Sequence, residues 1–327
     1  MKNKVLIYGL CDVFYDGYYI RGIKEVFKNY TFDISKFPKF KQGTFAVIIE
    51  NENGSTKLII DSLDSNLINS EWLNWSDVYG KVNYNADNIP LNDSQKVIPV
   101  GPSFGIKIWN LITTCFFASF NFIKFKKSIT NQREFLANYW RQYKRFRLEK
   151  YKFEESSNHY VFFMNSIWKE EKKTNYYRAL FINVCRANKE INFEGGFAAR
   201  SNGDNLGFDS LIYSEKIPLN TYLQKIKKSA FVFNTPAVLS CHGWKLGEFL
   251  ALGKAIISTD HINKLPSDLI NGEHLLYVNN EDDVKNAVQL LSEDIDFKRK
   301  LEFNSRNYFD SHLAPKAVIE KLISNIQ

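Results

Sequence analysis

The sequence predicts an α/β protein of two units, each a parallel sheet with helices packed against it. Three observations predict this. First, residues 229–258 read as strand, loop, helix and strand. An apolar run at 229–233 fits a buried strand, and a loop follows with Pro236, Ser240, Cys241, His242 and Gly243. Apolar residues then return at helical spacing (Trp244, Leu246, Phe249, Leu250, Leu252), Gly253 suits a helix stop, and residues 255–258 form the next strand. Such a unit makes a parallel strand pair. Second, residues 4–8 are an apolar strand running into a loop with Gly9, Asp16 and Gly17, then a helix to about Phe27. Third, 327 residues suggest two domains. The polar EESSN before a new strand marks the boundary, giving units 1–155 and 156–327, with the last helix free to cross back to the first.

Within the first unit, residues 44–50 and 56–61 read as strands joined by the turn Asn51, Glu52, Asn53, Gly54. Asp61 and Asp64 fall just past a strand end, where ligand and turn duty are both open. Residues 77–84 and 96–100 carry two short strands. Residues 108–123 hold no charge and many Phe, yet are shorter than the roughly 20 residues of a membrane-spanning helix. Residues 124–152 then hold ten Lys or Arg against two Glu, interleaved with aromatics. That pairing suits an anionic bilayer surface. A buried helix followed by a solvated basic one fits equally well.

In the second unit, residues 159–164 are a strand. The loop after it leads into a helix at 175–187, with Lys169, Lys172, Lys173 and Arg178 on its N-terminal side. Residues 193–198 form another strand, with Arg200 following, and 219–228 a helix. The last segment, 297–326, is helical and broken at Pro315.

The net charge of +7 favours acidic partners: nucleotide phosphates, nucleic acid or an anionic membrane. Four scattered cysteines argue for reduced thiols in a cytoplasmic protein and against a zinc site. The first ten residues are too short an apolar run for a signal peptide. There is no G-x-G-x-x-G, Walker loop or Ser-His-Asp spacing. A nucleic-acid-binding protein remains the rival class on charge alone, without a recognised motif for it.

In a parallel sheet, ligands sit beyond the carboxyl ends of the strands, against helix N-termini. That places Ser240, His242, Gly243 and Lys245 at a ligand edge whose free N–H groups and dipole favour phosphate. In register with this edge, Gly243, Glu248, Gly253 and the segment ALGKAIIST resemble the donor-sugar site of group-1 GT-B glycosyltransferases. The likeness covers about residues 220–315 and is weak in the N-terminal half. The family's first acidic residue falls on Ser240, so half of that motif is absent.

The resemblance implies two Rossmann-like domains facing across a cleft, with glycosyl transfer from a nucleotide-sugar. The acceptor would be a saccharide or lipid-linked saccharide in surface polysaccharide synthesis, at the inner membrane face. It implies Glu248, His242, Gly243, Lys245, Ser240, Arg178, Lys169 and Arg200 on the donor, with Gly17, Asp61 and Asp64 on the acceptor side. Asp16 is either a base toward the acceptor hydroxyl or a helix N-cap. No cofactor and no metal are implied. A catalytically inactive partner subunit of the same shape stays open because of Ser240.

Overall fold

The computed structural model describes residues 3–52 and 54–325. Asn53 of the expected turn and Ile326 of the expected last helix lie outside them. The chain divides into two compact units, Met1–Tyr151 with Asn263–Ser267 and Ser311–Gln327, and Lys152–Ile262 with Asp268–Asp310.

The first unit holds β1 (Lys4–Tyr8), α1 (Gly17–Phe27), β2 (Thr31–Asp33), β3 (Thr44–Asn51), β4 (Gly54–Asp61), α2 (Ser70–Trp75), β5 (Val78–Lys81), β6 (Val97–Pro99), α3 (Leu111–Phe125) and α4 (Gln132–Tyr143). Its six strands run β2-β1-β3-β4-β5-β6. The expectation of a parallel sheet holds here only in part, because β3 pairs antiparallel with both β1 and β4, the latter across the turn expected between residues 44–50 and 56–61. The reason is local: β3 and β4 are joined by a tight turn, and a parallel pair needs a crossover of a dozen residues or more. Where a helix intervenes the pairing is parallel, as between β1 and β2 across α1 and between β4 and β5 across α2.

Helix α1 buries Tyr18, Tyr19, Ile20 and Ile23. Its Gly22 lies against the closing helix Pro315–Ser324, and a Cβ there would come 2.3 Å from the Pro315 carbonyl oxygen. Only glycine allows that approach. The Tyr18 hydroxyl donates to Leu313 O at 2.6 Å beside it.

The second unit holds β7 (Tyr160–Ser166), α5 (Lys172–Ala187), β8 (Asn192–Ala198), β9 (Ile212–Tyr213), α6 (Leu219–Lys228), β10 (Phe231–Asn234), α7 (Trp244–Ala251), β11 (Ala255–Ser258), β12 (Leu276–Tyr277), α8 (Glu281–Glu293) and α9 (Ile295–Tyr308). All its strand pairs are parallel, in two ladders, β7-β8-β9 and β10-β11-β12. The ladders meet at β7 and β10, where Ala230 N donates to Tyr160 O at 2.7 Å and Phe162 N to the Ser229 hydroxyl at 2.9 Å. The spatial order is therefore β9-β8-β7-β10-β11-β12, the doubly wound arrangement with a reversal between β7 and β10.

Gly195 in β8 has φ +117, and a Cβ there would meet Phe163 O at 1.9 Å, so β8 can lie on β7 only with glycine at that point. Phe163, Phe181, Phe231 and Phe233 fill the core, with Phe181 and Phe233 stacked at 4.6 Å. Helix α5 begins at Lys172, three residues before its expected start, so Arg178 sits in its second turn and is buried.

Candidate functional site

At a reversal of strand order, the helices that follow the two central strands cover opposite faces of the sheet and leave a crevice at the strands' carboxyl ends. Here that crevice is a pocket of about 330 Å³. β7 contributes Asn165 and Ser166 to its wall, β10 contributes Asn234, and Thr235 follows. Gly243, Trp244 and Lys245 close it from the N-terminal end of α7, and Arg178 enters from α5. Gly243, at the N-cap of α7, brings no side chain to cap it, and the helix N-terminus forms part of this wall.

Two cations meet in the pocket. The Arg178 guanidinium donates through Nε to the Thr235 hydroxyl at 2.9 Å and through Nη1 to Ser166 O at 2.8 Å. Burial pushes its pKa down to about 10. The Lys245 ammonium donates to Met164 O. Burial first, and Arg178 beside it second, lower the Lys245 pKa to about 7, against the opposing pull of Glu248. The side chain keeps part of its surface on the pocket while protein encloses the ammonium. Two cations held this close, with no carboxylate among the described wall residues, make the pocket electropositive.

The loop between β10 and α7 is strained. Leu239 and Ser240 both have left-handed backbone, at φ 55 and φ 58, though neither is glycine. Such residues cost of order 1 kcal/mol each and persist where the surroundings over-determine them. The loop is held by Leu239 N donating to the Glu171 carboxylate at 2.9 Å and by Ala237 N donating to Cys241 O at 2.9 Å.

Behind the wall, His261 accepts from Asn234 Nδ2 at 3.0 Å and lies 3.2 Å from the Tyr277 hydroxyl. Burial and the neighbouring His242 hold His261 neutral, with its pKa pushed down to about 3. The two imidazoles pack edge to face at 5.4 Å. This group fixes Asn234 at the end of β10.

Of the expected donor residues, the pocket brings together Arg178, Gly243 and Lys245. Glu248 is buried one turn further along α7 and reaches the site through its charge on Lys245 rather than as part of the wall. His242 is buried behind the wall and Ser240 lies in the strained loop. Lys169 is exposed beside Glu170 at 3.9 Å. Arg200 donates to the Asp204 carbonyl at 2.9 Å and is not among the pocket-wall residues. Sequence reasoning missed Asn234, Thr235 and His261. The polar pair Asn234-Thr235 ending an apolar strand was the available signal for the first two. Nothing in the sequence pairs His261 with Asn234.

Of the acceptor-side expectations in the first unit, that for Asp61 is corrected. Asp61 is fully buried and accepts from Lys81 Nζ at 2.8 Å, the Tyr79 hydroxyl at 2.6 Å and Leu63 N at 3.0 Å. It is a structural ion pair with no ligand face. Asp64 is exposed on the following loop. Asp16 is 1% exposed, and burial together with Asp12 holds its carboxyl well above the usual range. At that exposure the carboxyl presents almost no surface to an acceptor arriving from solvent. Nor does its side chain cap α1; it accepts from Asp12 N at 2.9 Å. Gly17 packs under Ile106 O and Gln142.

Among the described residues, no three His, Cys, Asp or Glu side chains gather as a metal ion requires, and no helix is long and apolar enough to cross a membrane.

Compared with known proteins, the chain matches no family model and no curated protein. It is similar to solved structures that include glycosyltransferases. One is the C-terminal domain of a glycosyl transferase group 1 family protein (LpcC) from Francisella tularensis: 13% identity, 50% of this chain and 96% of that one, TM-score 0.36. A glycosyltransferase from Rickettsia africae shares 12% identity over 80% of this chain and 67% of its own, at a TM-score of 0.43. The accessory secretory protein 1,2 and 3 structure from Streptococcus pneumoniae shares 8% identity over 79% of this chain and 44% of its own, at a TM-score of 0.46.

Proposed function

We propose that the second unit binds the diphosphate of a nucleotide-sugar and that the protein transfers the sugar to a saccharide or lipid-linked saccharide held by the first unit. The observation that carries this reading is the pair of a buried Arg178 and a half-buried Lys245 on one pocket wall, at the reversal point of a doubly wound sheet. Transfer from a nucleotide-sugar releases a nucleoside diphosphate, and the charge developing on it must be neutralised. Arg178, Lys245 and the first N–H groups of α7 do this with the chain's own charges, so no metal is called for. Asn234 and Thr235 at the end of β10 present hydrogen-bonding groups to a hydroxyl-rich ligand.

The lack of a carboxylate among the described wall residues, with Ser240 in the loop, favours a second reading in which the unit binds the nucleotide without turnover. Titration calorimetry with UDP, GDP, ADP, CMP and dTDP tests the common step. One of these binds, and its affinity falls as pH rises through about 7 because the anion needs Lys245 protonated. No binding by any of them refutes both readings. Binding without sugar transfer in a donor and acceptor screen favours the second.

A further inference from the structure

Helix α3 is built inside out. A helix on a globular protein turns its apolar stripe inward. In α3 the buried residues include Thr114 and Asn121, the latter donating to the buried Tyr139 hydroxyl at 2.8 Å. The outward face instead carries Ile112 (82% exposed), Phe116 (60%), Phe120 (51%) and Ile123 (75%). Their spacing, four, four and three residues apart, puts all of them on one line along the helix. Phe116 and Phe120 stack on each other at 5.8 Å, in the open.

The charge next to this stripe is as uneven as its polarity. Residues 111–151, which span α3 and α4, hold nine Lys or Arg against two Glu. That local excess of seven equals the net +7 of the whole chain, so the remainder is balanced. Lys126 and Lys127 are exposed at the end of α3, whereas Lys124 donates to Phe32 O at 2.7 Å. On α4, which pairs with α3 through the Asn121–Tyr139 bond, Trp140 and Leu136 are exposed and Lys144 sits over the Trp140 ring at 4.6 Å.

We propose that this outward face of α3 is a membrane-contact surface, lying flat in the headgroup region of an anionic bilayer. At 1.5 Å per residue, a 15-residue helix presents a line of roughly 22 Å, suited to lying in the interface plane and too short to span. The apolar line enters the acyl boundary and the lysines and arginines meet the lipid phosphates. The charge selects this occupant: a second copy would set one strongly cationic face against another, and like charges in that geometry repel. The proposal stands apart from the nucleotide reading, because every residue in it belongs to the first unit.

Cys115 makes the test direct. It lies on the stripe between Ile112 and Phe116 and is exposed, while Cys11, Cys185 and Cys241 are buried, so the folded chain takes a thiol-reactive fluorophore there alone. With vesicles of phosphatidylcholine and phosphatidylglycerol, the label's emission shifts to the blue and doxyl-labelled acyl chains quench it. Pure phosphatidylcholine gives little of either. In co-sedimentation of the unlabelled full chain, Phe116→Asp with Phe120→Asp weakens binding at least tenfold, and Lys126→Gln with Lys127→Gln weakens it about fivefold per charge. All four positions are exposed, so the melting temperature stays put and a folding failure would be visible in it. Absence of binding to the anionic vesicles overturns the proposal. So does a concentration-dependent dimer, seen by sedimentation equilibrium, that the Phe pair of substitutions abolishes.

Discussion

Replacing Lys245 by Met separates what the pocket does from what it costs the fold. The ordinary lysine pKa of 10.5 is lowered to about 7 in the folded chain. One pKa unit corresponds to about 1.4 kcal/mol, so a fully enclosed ammonium with this shift would destabilise the fold by about 4–5 kcal/mol at neutral pH. The pocket side of Lys245 is open to water, which screens the penalty to about half, ~2 kcal/mol. Against this, Met gives up the hydrogen bond to Met164 O, about 1 kcal/mol. The variant should therefore be more stable than the native chain by about 1 kcal/mol, a rise of about 2–4 °C in melting temperature for a unit of this size. The pH dependence has a definite sign. The folded pKa lies below the unfolded one, so between about 7 and 10.5 the unfolded chain binds more protons and native stability rises with pH. The advantage of the variant should shrink across that window. The assay is thermal unfolding at pH 7 and pH 9, with calorimetry for the nucleotide that the native chain binds. The variant should lose at least tenfold in nucleotide affinity while melting higher. A lower melting temperature together with unchanged affinity would refute both the electrostatics and the site.

Glu248→Gln removes the charge that raises the Lys245 pKa, so the pH above which nucleotide affinity declines should move down by about 0.5–1 unit. A calorimetric pH series reads this, and an unmoved midpoint would detach Glu248 from the site. Asp61→Asn leaves the Lys81 ammonium buried without its counter-charge and should destabilise the first unit by about 3–5 kcal/mol. Urea unfolding measures the loss, and an unchanged midpoint would mean that water reaches the pair. Nucleotide binding, and sugar transfer where it is observed, should persist in EDTA because the neutralising charges are Arg178 and Lys245. Abolition by EDTA with recovery in Mn²⁺ would require a metal in their place.

Much of the second unit was legible in advance. Helix α6 falls on its expected bounds and α7 ends within a residue of them, because amphipathic spacing and the stop at Gly253 are local signals. That Gly243 and Lys245 fall on one sheet edge, where they line a pocket, followed from the strand–loop–helix pattern, since sequential parallel strands put their loops on one edge. The composition also marked the uncharged Phe-rich run and the basic run after it. It did not decide which way α3 turns, and the spacing of so many apolar residues would allow either face to be buried.

What only the tertiary structure decided concerns polar groups whose environment is made by distant segments. Asp61 reads as a ligand-edge carboxylate until Lys81, twenty residues on, closes over it. Asp16 reads as a cap or base until burial beside Asp12 takes it out of solvent. Arg178 and Lys245 are 67 positions apart and become a pair only when β7 and β10 lie side by side. The sequence by itself determined many of the elements and the sheet edge at which the pocket opens, because periodicity and turn chemistry act over a few residues. Desolvation and charge pairing depend on which remote side chains fold against a group, and a one-dimensional pattern carries no record of that.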